Sequence, residues 1–286
     1  TAMSLASVAY LLFQKHMVHD PKDPKWIGRD RFVLSCGHSS LTLYTQLYLS
    51  GYGLEMKDLQ EFRTWNSQTP GHPEYGHTAG VEMTTGPLGA GISTAVGMAM
   101  AARYEKGLLD KNSPLFDHNV YVLCSDGDLQ EGVSAEASSL AGTQELGNLI
   151  VIYDDNRISI EGDTHVSFTE NVSARYAAYG WHVEDVAAAK DGSVDLIALD
   201  AAITRAKNEK SKPSLIRLHT IIAWPAPKAQ GTAKSHGSAL GDEEVAATKV
   251  ALGLNPDEKF AMPDDLLAHA RKVIERGAKA RAEWNT

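Results

Sequence analysis

Two polar side chains in this sequence have the chemistry and the placement to hold a divalent cation. Asp126 and Gly127 follow the apolar segment 119–124, and Asn156 follows the apolar segment 148–153 after two aspartates. If these segments are neighbouring strands of a parallel sheet, the Asp126 carboxylate and the Asn156 amide oxygen meet at the carboxyl ends of the strands, where open α/β sheets bind ligands. Together with a backbone carbonyl and two oxygens of an anionic ligand such as a diphosphate, they supply most of the oxygen shell that Mg²⁺ prefers, or a looser shell for Ca²⁺.

The turn that begins at Asp126 also suits the diphosphate itself. Gly127 lets the main chain approach an anion, and the helix predicted after it offers amide groups at its positive N-terminal end. Asp-Gly is also a common turn, so this dipeptide alone does not distinguish a ligand site from a simple turn. The pairing with Asn156 favours the ligand site, because a carboxylate, a glycine and an asparagine in this spacing are typical of enzymes that use thiamine diphosphate.

The pattern of the whole chain predicts an α/β fold with a parallel sheet covered by helices on both faces. Short β-branched runs alternate with longer Ala-rich runs that contain few helix breakers. The predicted strands are 31–35, 119–124, 148–153, 181–186 and 214–218, and the predicted helices are 91–104, 131–146 and 194–207. Most of the strands are too uniformly apolar to face water, so we expect them to be buried.

Two long stretches interrupt this alternation, at 66–86 and 223–241, and both are dense in Gly, Pro and His. Loops of that length are usually functional or disordered. From residue 242 onward two helical segments are predicted, separated by 253–265, and the basic residues of the last segment are expected to form a solvated face. Because no repeat or linker divides the chain, residues 1–286 are predicted to form one domain.

Composition argues against several other classes of protein. The formal net charge is −9 and no basic patch is present, which argues against a nucleic-acid partner. No apolar run approaches the roughly 18 to 20 residues that a membrane span requires. The two cysteines, Cys36 and Cys124, lie far apart within apolar stretches, which favours a reducing compartment and therefore the cytoplasm.

Four motifs resemble those of transketolases, and they occur in transketolase order. They are 71–74 (GHPE), 84–91 (TTGPLGAG), 153–162 (YDDNRISIEG) and 236–237 (HG). The resemblance runs from Thr1 to near the C-terminus and implies the thiamine-diphosphate-binding fold. Two positions depart from the family pattern: Ser125 stands where the cofactor motif usually opens with Gly, and Asp128 is more acidic than the usual residue near a diphosphate. We expect Asp128 to face solvent or a basic neighbour.

The resemblance also implies roles for individual residues. Asp126 and Asn156 resemble the side-chain metal ligands of the family, and the carbonyl of Ile158 resembles its backbone ligand. The residues that resemble those beside the diphosphate, the thiazolium or the cofactor rings are Gly127, His38, His236, Gly86 and Leu88.

Three further implications concern the substrate and the partners. His38 and His72 match imidazoles that face the sugar, where a histidine can exchange the proton of a ketose hydroxyl at near-neutral pH. Glu131 resembles a carboxylate at the dimer interface that links the two cofactors. The implied partners are sugar phosphates and either a second copy of the chain or a separate pyrimidine-binding half.

Three functions therefore remain open at this level. The leading one is a transketolase that moves a two-carbon ketol unit from a ketose phosphate to an aldose phosphate. The second is another thiamine-diphosphate enzyme, such as 1-deoxy-xylulose-phosphate synthase or the first component of pyruvate dehydrogenase, although the residues around Asn156 favour transketolase. The third is a cofactor-binding fragment or subunit without turnover of its own. It stays open because residues 1–286 contain no motif of the second domain that the resemblance implies, which supplies a glutamate to the aminopyrimidine and arginines to the sugar phosphates, and because the resemblance also leads us to expect a His-containing segment before Thr1.

Overall fold

Five parallel strands form one sheet in the order β1-β2-β3-β5-β4 in this computed structural model, which describes all 286 residues. The strands are β1 (Arg31–Leu34), β2 (Val120–Ser125), β3 (Leu149–Asp155), β4 (His182–Val186) and β5 (Ser214–His219). All five predicted strands are confirmed, and their observed ends differ from the predicted ones by at most two residues. In the register of β2 and β3, Cys124 lies opposite Tyr153 and Ser125 lies opposite Asp154.

The alternation of side chains along the central strands builds a separate core on each face of the sheet. In β2, Tyr121 and Leu123 belong to one core, whereas Val120 and Val122 belong to the other. Every residue of β2 and β3 is buried, as expected for a parallel sheet covered on both faces. The edge strand β4 is the exception, because only Val186 in it is buried.

Eleven α-helices surround the sheet. They are α1 (Ala6–Leu11), α2 (Ser40–Ser50), α3 (Met56–Gln60), α4 (Ala90–Leu109), α5 (Asp126–Gln130), α6 (Gly132–Thr143), α7 (Val172–Ala178), α8 (Leu196–Asn208), α9 (Asp242–Ala251), α10 (Asp264–Ala270) and α11 (Val273–Trp284). Residues of α1, α2 and α8 form the first core, and residues of α4, α6 and α7 form the second. The prediction of helices on both faces is therefore confirmed.

The two stretches predicted to be irregular contain no α-helix or strand, and 223–241 contains only the short 3₁₀ turn Ala233–Ser235. The last helical segment of the sequence is divided into α10 and α11 by a turn at Arg271 and Lys272. No helix is both long enough and apolar enough to cross a membrane.

The prediction of a solvated basic face on the last helix holds only in part. Lys279 is exposed, but Arg276 donates hydrogen bonds to the carbonyls of Phe13 and Gln14. Arg281 pairs with the fully buried carboxylate of Asp20 at 2.7 Å. The N-terminal segment thus offers acceptors that the local sequence of the helix does not reveal.

Candidate functional site

A cleft of about 430 Å³ lies where β1, β2 and β3 end, and it brings together every site residue predicted from the sequence. These residues are His38, His72, Gly86, Leu88, Asp126, Gly127, Glu131, Asn156, Ile158 and His236. A cleft of similar size, about 480 Å³, lies between Pro227 and Ala247 and contains none of them. The agreement follows from topology, because parallel strands deliver their C-terminal residues to one edge of the sheet.

Asp126 is a buried carboxylate with hydrogen-bond donors but no cationic side chain beside it. It begins α5, and its Oδ1 accepts a hydrogen bond from the Tyr153 hydroxyl at 2.5 Å while its Oδ2 accepts one from the Arg157 amide at 3.1 Å. No Lys, Arg or His forms an ion pair with it, and burial raises its pKa to about 7. A cation beside this carboxylate would stabilise the charged form that burial disfavours.

The Asn156 amide is held in a fixed orientation by its neighbours. Its Nδ2 donates to Oδ2 of Asp154 at 2.8 Å, and its Oδ1 accepts from the Ile158 amide at 3.0 Å. Asp154 is fully buried, and its second oxygen accepts from the Thr220 hydroxyl. Because the carboxylate of Asp154 can accept only the NH₂ end of the amide, the oxygen end faces the turn, where one of its lone pairs is left for a ligand.

The turn after β3 completes the set of oxygens. Arg157 adopts a left-handed conformation with φ of 58°, and this turn directs its amide toward Asp126. Ile158, two residues after Asn156, lines the cleft, and its carbonyl accepts no hydrogen bond within the protein. Buried or partly buried carbonyls normally have partners, so this oxygen is available to a ligand.

These observations test whether the residues fit a divalent ion. No group of three or more His, Cys, Asp or Glu side chains is arranged to hold a metal ion. The candidate set has instead one carboxylate, one amide oxygen and one backbone carbonyl, which are the hard oxygen donors that Mg²⁺ and Ca²⁺ take. The set fits such an ion provided that diphosphate and water oxygens complete the shell.

Gly127 allows a close approach between two walls of the cleft. A Cβ atom at this position would lie only 2.8 Å from Cδ1 of Leu88. A Cβ at Gly86 would in turn lie 3.5 Å from the His72 ring. The turn at the start of α5, the loop 86–88 and His72 therefore form one continuous lining.

Three imidazoles face the cleft without a hydrogen-bond partner in the protein. The rings of His38 and His236 lie 4.9 Å apart between centroids and are tilted by 32°. Burial, and then the neighbouring His236, lowers the pKa of His38 to about 4, and burial also lowers the pKa of His236. Both rings are therefore neutral near pH 7, so each presents one donor and one acceptor nitrogen. His72 is exposed and comes from the irregular stretch 66–86.

The prediction that Asp128 faces solvent or a basic neighbour is wrong. The residue is fully buried, and its carboxylate accepts hydrogen bonds from Ser35, Gly89 and Ser125. Burial raises its pKa, and these donors oppose that effect. The reason lies in helix capping: Asp128 is the third residue of α5 and bonds back to the residue that caps the helix, Ser125.

Sequence reasoning also missed two residues that position the candidate ligands. Tyr153 and Asp154 lie near the end of β3 and form hydrogen bonds with Asp126 and Asn156 respectively. A signal for both is present in the sequence, since a hydroxyl and a carboxylate interrupt an otherwise aliphatic buried strand, where each polar group needs a partner. Glu131 is exposed and lines the cleft between α5 and α6.

Comparison with protein families and relatives identifies similar proteins along the whole chain. Residues 1–286 match the family model described as transketolase, thiamine diphosphate binding domain. The chain is 57 % identical over 289 aligned residues to a transketolase of Mycobacterium leprae, and 56 % identical to one of Mycobacterium tuberculosis. Each alignment covers 99 % of this chain but only 41 % of the relative.

Solved structures give the same result. A transketolase from Leishmania mexicana superposes with a TM-score of 0.94 at 43 % identity, covering 99 % of this chain and 42 % of that protein. A Pichia stipitis transketolase in complex with sedoheptulose-7-phosphate superposes with a TM-score of 0.93 at 47 % identity, covering 98 % of this chain and 41 % of that protein. The chain therefore spans about two fifths of the length of the relatives that it matches.

Proposed function

Because this chain belongs to the transketolase family, as its thiamine diphosphate binding domain, we propose that it holds that cofactor through a divalent metal for the transfer of a two-carbon ketol unit between sugar phosphates. The observation that carries the proposal is that Asp126, Asn156 and Ile158 line one cleft, because these residues have a carboxylate, an amide oxygen and a backbone carbonyl without a hydrogen bond in the protein. A single domain covering residues 1–286 is part of the same proposal.

The metal would be bound by Oδ of Asp126, Oδ1 of Asn156 and the carbonyl of Ile158. Mg²⁺ is the preferred ion, and Ca²⁺ fits the same donors with a looser shell. Gly127 would allow the diphosphate to approach the start of α5, and the neutral rings of His38 and His236 would donate hydrogen bonds to it. Gly86 and Leu88 would contact the cofactor rings.

Bound thiamine diphosphate supplies the electron sink that allows a carbon–carbon bond beside a carbonyl to break and form. The protein contributes orientation and proton transfer. His72 and His38 have ring nitrogens without protein partners, so they can accept the proton of a ketose hydroxyl and return it to the acceptor sugar. This role fits their place on the lining of the cleft.

The active unit in this proposal contains more than the chain itself. Glu131 is exposed beside the cleft at the start of α6, where it is free to meet a second subunit or the pyrimidine-binding half. The two cysteines are free and buried, which is consistent with a reducing cytoplasmic location. A chain that binds the cofactor but has no turnover of its own would use the same site. Cofactor binding is therefore measured before activity.

Calorimetric titration of the chain with thiamine diphosphate tests the proposal. We expect binding in Mg²⁺ and none in EDTA, and we expect Asp126→Ala or Asn156→Ala to weaken binding greatly, because each substitution removes a hard oxygen from the metal. Asp163→Ala is the matched control, since Asp163 is an exposed carboxylate of the same loop region that lies outside the cleft lining. Equal affinity with and without metal would contradict the assignment.

A further inference from the structure

One buried carboxylate joins the starts of two helices that line the cleft. Oδ1 of Asp128 accepts hydrogen bonds from the Ser35 hydroxyl at 2.6 Å and the Gly89 amide at 2.9 Å. Its Oδ2 accepts from the Ser125 amide at 2.9 Å and the Ser125 hydroxyl at 3.2 Å. The Ser35 hydroxyl in turn accepts from the Ile92 amide at 3.0 Å. The two oxygens thus serve different segments of the chain.

Helix α4 depends on this carboxylate because it has no side-chain cap of its own. Gly89, the residue that caps it, has φ of 78° and no side chain. The first amides of a helix have no partner within the helix, and a negative charge near them is favourable. Asp128 satisfies the Gly89 amide directly and the Ile92 amide through Ser35, while it also closes the capping box of α5.

Both helix starts adjoin the lining of the cleft. Gly86 and Leu88 immediately precede Gly89, and Gly127 lies one residue before Asp128. Leu88 meets Gly127 so closely that a Cβ there would lie 2.8 Å from Leu88 Cδ1. The position of Leu88 relative to the diphosphate turn is therefore set by bonds that pass through the Asp128 carboxylate.

The negative charge of Asp128 lies where it disfavours the binding of an anion, so the carboxylate must have a structural role that a neutral side chain would not fill. A fully buried carboxylate beside a proposed diphosphate site repels the ligand and loses solvation, and both effects are unfavourable. Helix capping alone could be served by a neutral Ser, Asn or Thr. A carboxylate differs from these in having two oxygens that can each accept several hydrogen bonds, and here both oxygens are used.

We propose that Asp128 is a positioning residue that fixes the ring-side wall of the cleft, Gly86 to Gly89, relative to the diphosphate turn at Ser125 to Gly127. The proposal rests on the proposed function, because it concerns how the same cleft recognises the ring end of thiamine diphosphate. Its consequence is a specific one: Asp128 favours the complete cofactor over its diphosphate portion alone.

The substitution Asp128→Asn tests this idea with little change in volume. An amide has a single acceptor oxygen, so it can serve either the Gly89 side or the Ser125 side but not both. Dissociation constants for thiamine diphosphate and for inorganic pyrophosphate, each with Mg²⁺, are measured by calorimetry on the whole chain. We expect the preference for thiamine diphosphate over pyrophosphate to fall by about tenfold, while pyrophosphate binds as tightly as before or more tightly because a buried negative charge is gone.

Asp30→Asn is the matched control. Asp30 is also a buried carboxylate that accepts hydrogen bonds from two backbone amides, those of Val18 and Asn119, but at the opposite end of the sheet. A purely structural effect would weaken both ligands by the same factor in either variant. We expect Asp30→Asn to leave the ratio of the two dissociation constants within about twofold of the wild-type value.

Amide hydrogen exchange on the ligand-free chain supplies a second measurement. In Asp128→Asn we expect faster exchange at Gly89 or Ser125, with β3 amides unchanged. If the wild-type chain binds neither ligand with Mg²⁺, the proposed function fails, while the exchange rates still decide whether Asp128 links the two walls. An unchanged ratio of dissociation constants in Asp128→Asn, or exchange at both amides as slow as in the wild type, would overturn the role of Asp128.

Discussion

Asp126 and Asp128 lie two residues apart, yet their surroundings give them different roles. Asp128 has four donors from three segments and needs no cation. Asp126 has only two donors and lines the cleft. The residue with the unmet need for positive charge is therefore the one suited to a metal ion, and the fully bonded one is suited to holding the chain in place.

His72 provides a prediction about a single side chain. It is exposed on the lining of the cleft and forms no hydrogen bond with Asp126 or Asn156, so His72→Ala should leave cofactor affinity nearly unchanged. Turnover in a complete enzyme that contains this chain should fall by about 10²- to 10⁴-fold, since one proton-transfer group is lost. Calorimetry and steady-state kinetics on the same preparation check both parts. If the variant has the turnover of the wild type, His72 does not transfer a proton in the reaction.

The meeting of Asp126 and Asn156 at one edge of the sheet was predictable from the sequence, whereas the surroundings of Asp128 were not. Asp126 and Asn156 each follow an apolar strand, and topology alone brings such ends together. Asp128 was placed wrongly because its partners Ser35 and Gly89 come from segments far away in the sequence. A hydrogen bond between distant segments does not change the periodicity of hydrophobic residues along the sequence, so local sequence patterns cannot predict it.

Among the structural elements, the buried ones were predicted best. Strands β1, β2, β3 and β5 are short apolar runs, and burial on both faces forces that composition. The helices after residue 242 were predicted less well, since the break between α10 and α11 carries no Gly or Pro. Packing against the N-terminal segment, as in the pair between Arg281 and Asp20, is not encoded in the helix pattern.

The start of α5 allows two effects of a Gly→Ala substitution to be measured separately. One is the contact of the new methyl group with Leu88, and the other is the change in helix propensity. Gly127→Ala places a methyl group 2.8 Å from Leu88 Cδ1, while Gly132→Ala at the start of α6 meets no atom within 4 Å. Because the Leu88 side chain can move, we expect stability to change by less than about 1 kcal/mol in both variants. Affinity for thiamine diphosphate should fall by about tenfold only in Gly127→Ala, where Leu88 is displaced.

Urea unfolding and calorimetry measure the two quantities separately. Equal cofactor affinity in Gly127→Ala and Gly132→Ala would show that the contact between Gly127 and Leu88 does not shape the site.

The segment before β1 gives a prediction about pH. His19 is buried between Phe13 and Tyr52, where Nε2 donates to the Phe13 carbonyl and Nδ1 accepts from the Tyr52 hydroxyl in the neutral ring. Burial lowers its pKa from 6.5 to about 4. The unfolded chain therefore binds a proton more readily than the folded one, so stability is full above pH 6.5 and is lost as the pH falls toward 4.

The measurement is the free energy of unfolding in urea at about pH 7.5 and about pH 5. His19 should contribute a decrease of about 2 kcal/mol between these values, and His19→Gln should lack this part of the decrease. The comparison with the variant is needed because His118, also buried, titrates in the same sense, whereas Asp30, with a pKa raised to about 6, acts in the opposite sense. An identical pH dependence in both proteins would contradict the assignment of this effect to His19.

At the scale of the whole molecule, exposed apolar side chains are found on two helices that pack against each other. Helices α4 and α6 pack side by side and leave large apolar side chains exposed, among them Tyr104, Leu108, Val133 and Leu140. Glu131 lies at the start of α6 beside the cleft. Exposed apolar side chains grouped on packed helices are typical of a surface that another chain or domain covers.

The last prediction is that this chain by itself has no meaningful transketolase activity. In the proposed site Asp126, Asn156 and Ile158 would hold the metal and the diphosphate, but no carboxylate in the cleft is assigned to the aminopyrimidine, which the family resemblance places on another domain. The chain also spans only 41 % of the relatives that it matches. A coupled assay with xylulose 5-phosphate and ribose 5-phosphate is run on the chain alone and then after mixing with the separately expressed remainder of the enzyme.

We expect turnover only in the mixture, accompanied by loss of the self-association that the exposed residues of α4 and α6 should cause in the isolated chain. Asp126→Ala in the same mixture is the control, because it should abolish turnover while leaving assembly through α4 and α6 intact. Light scattering reports assembly and the coupled assay reports turnover, so the two effects are separable. Robust turnover by the isolated chain, once its intact mass has confirmed 286 residues, would show that a group able to activate the aminopyrimidine lies within this cleft.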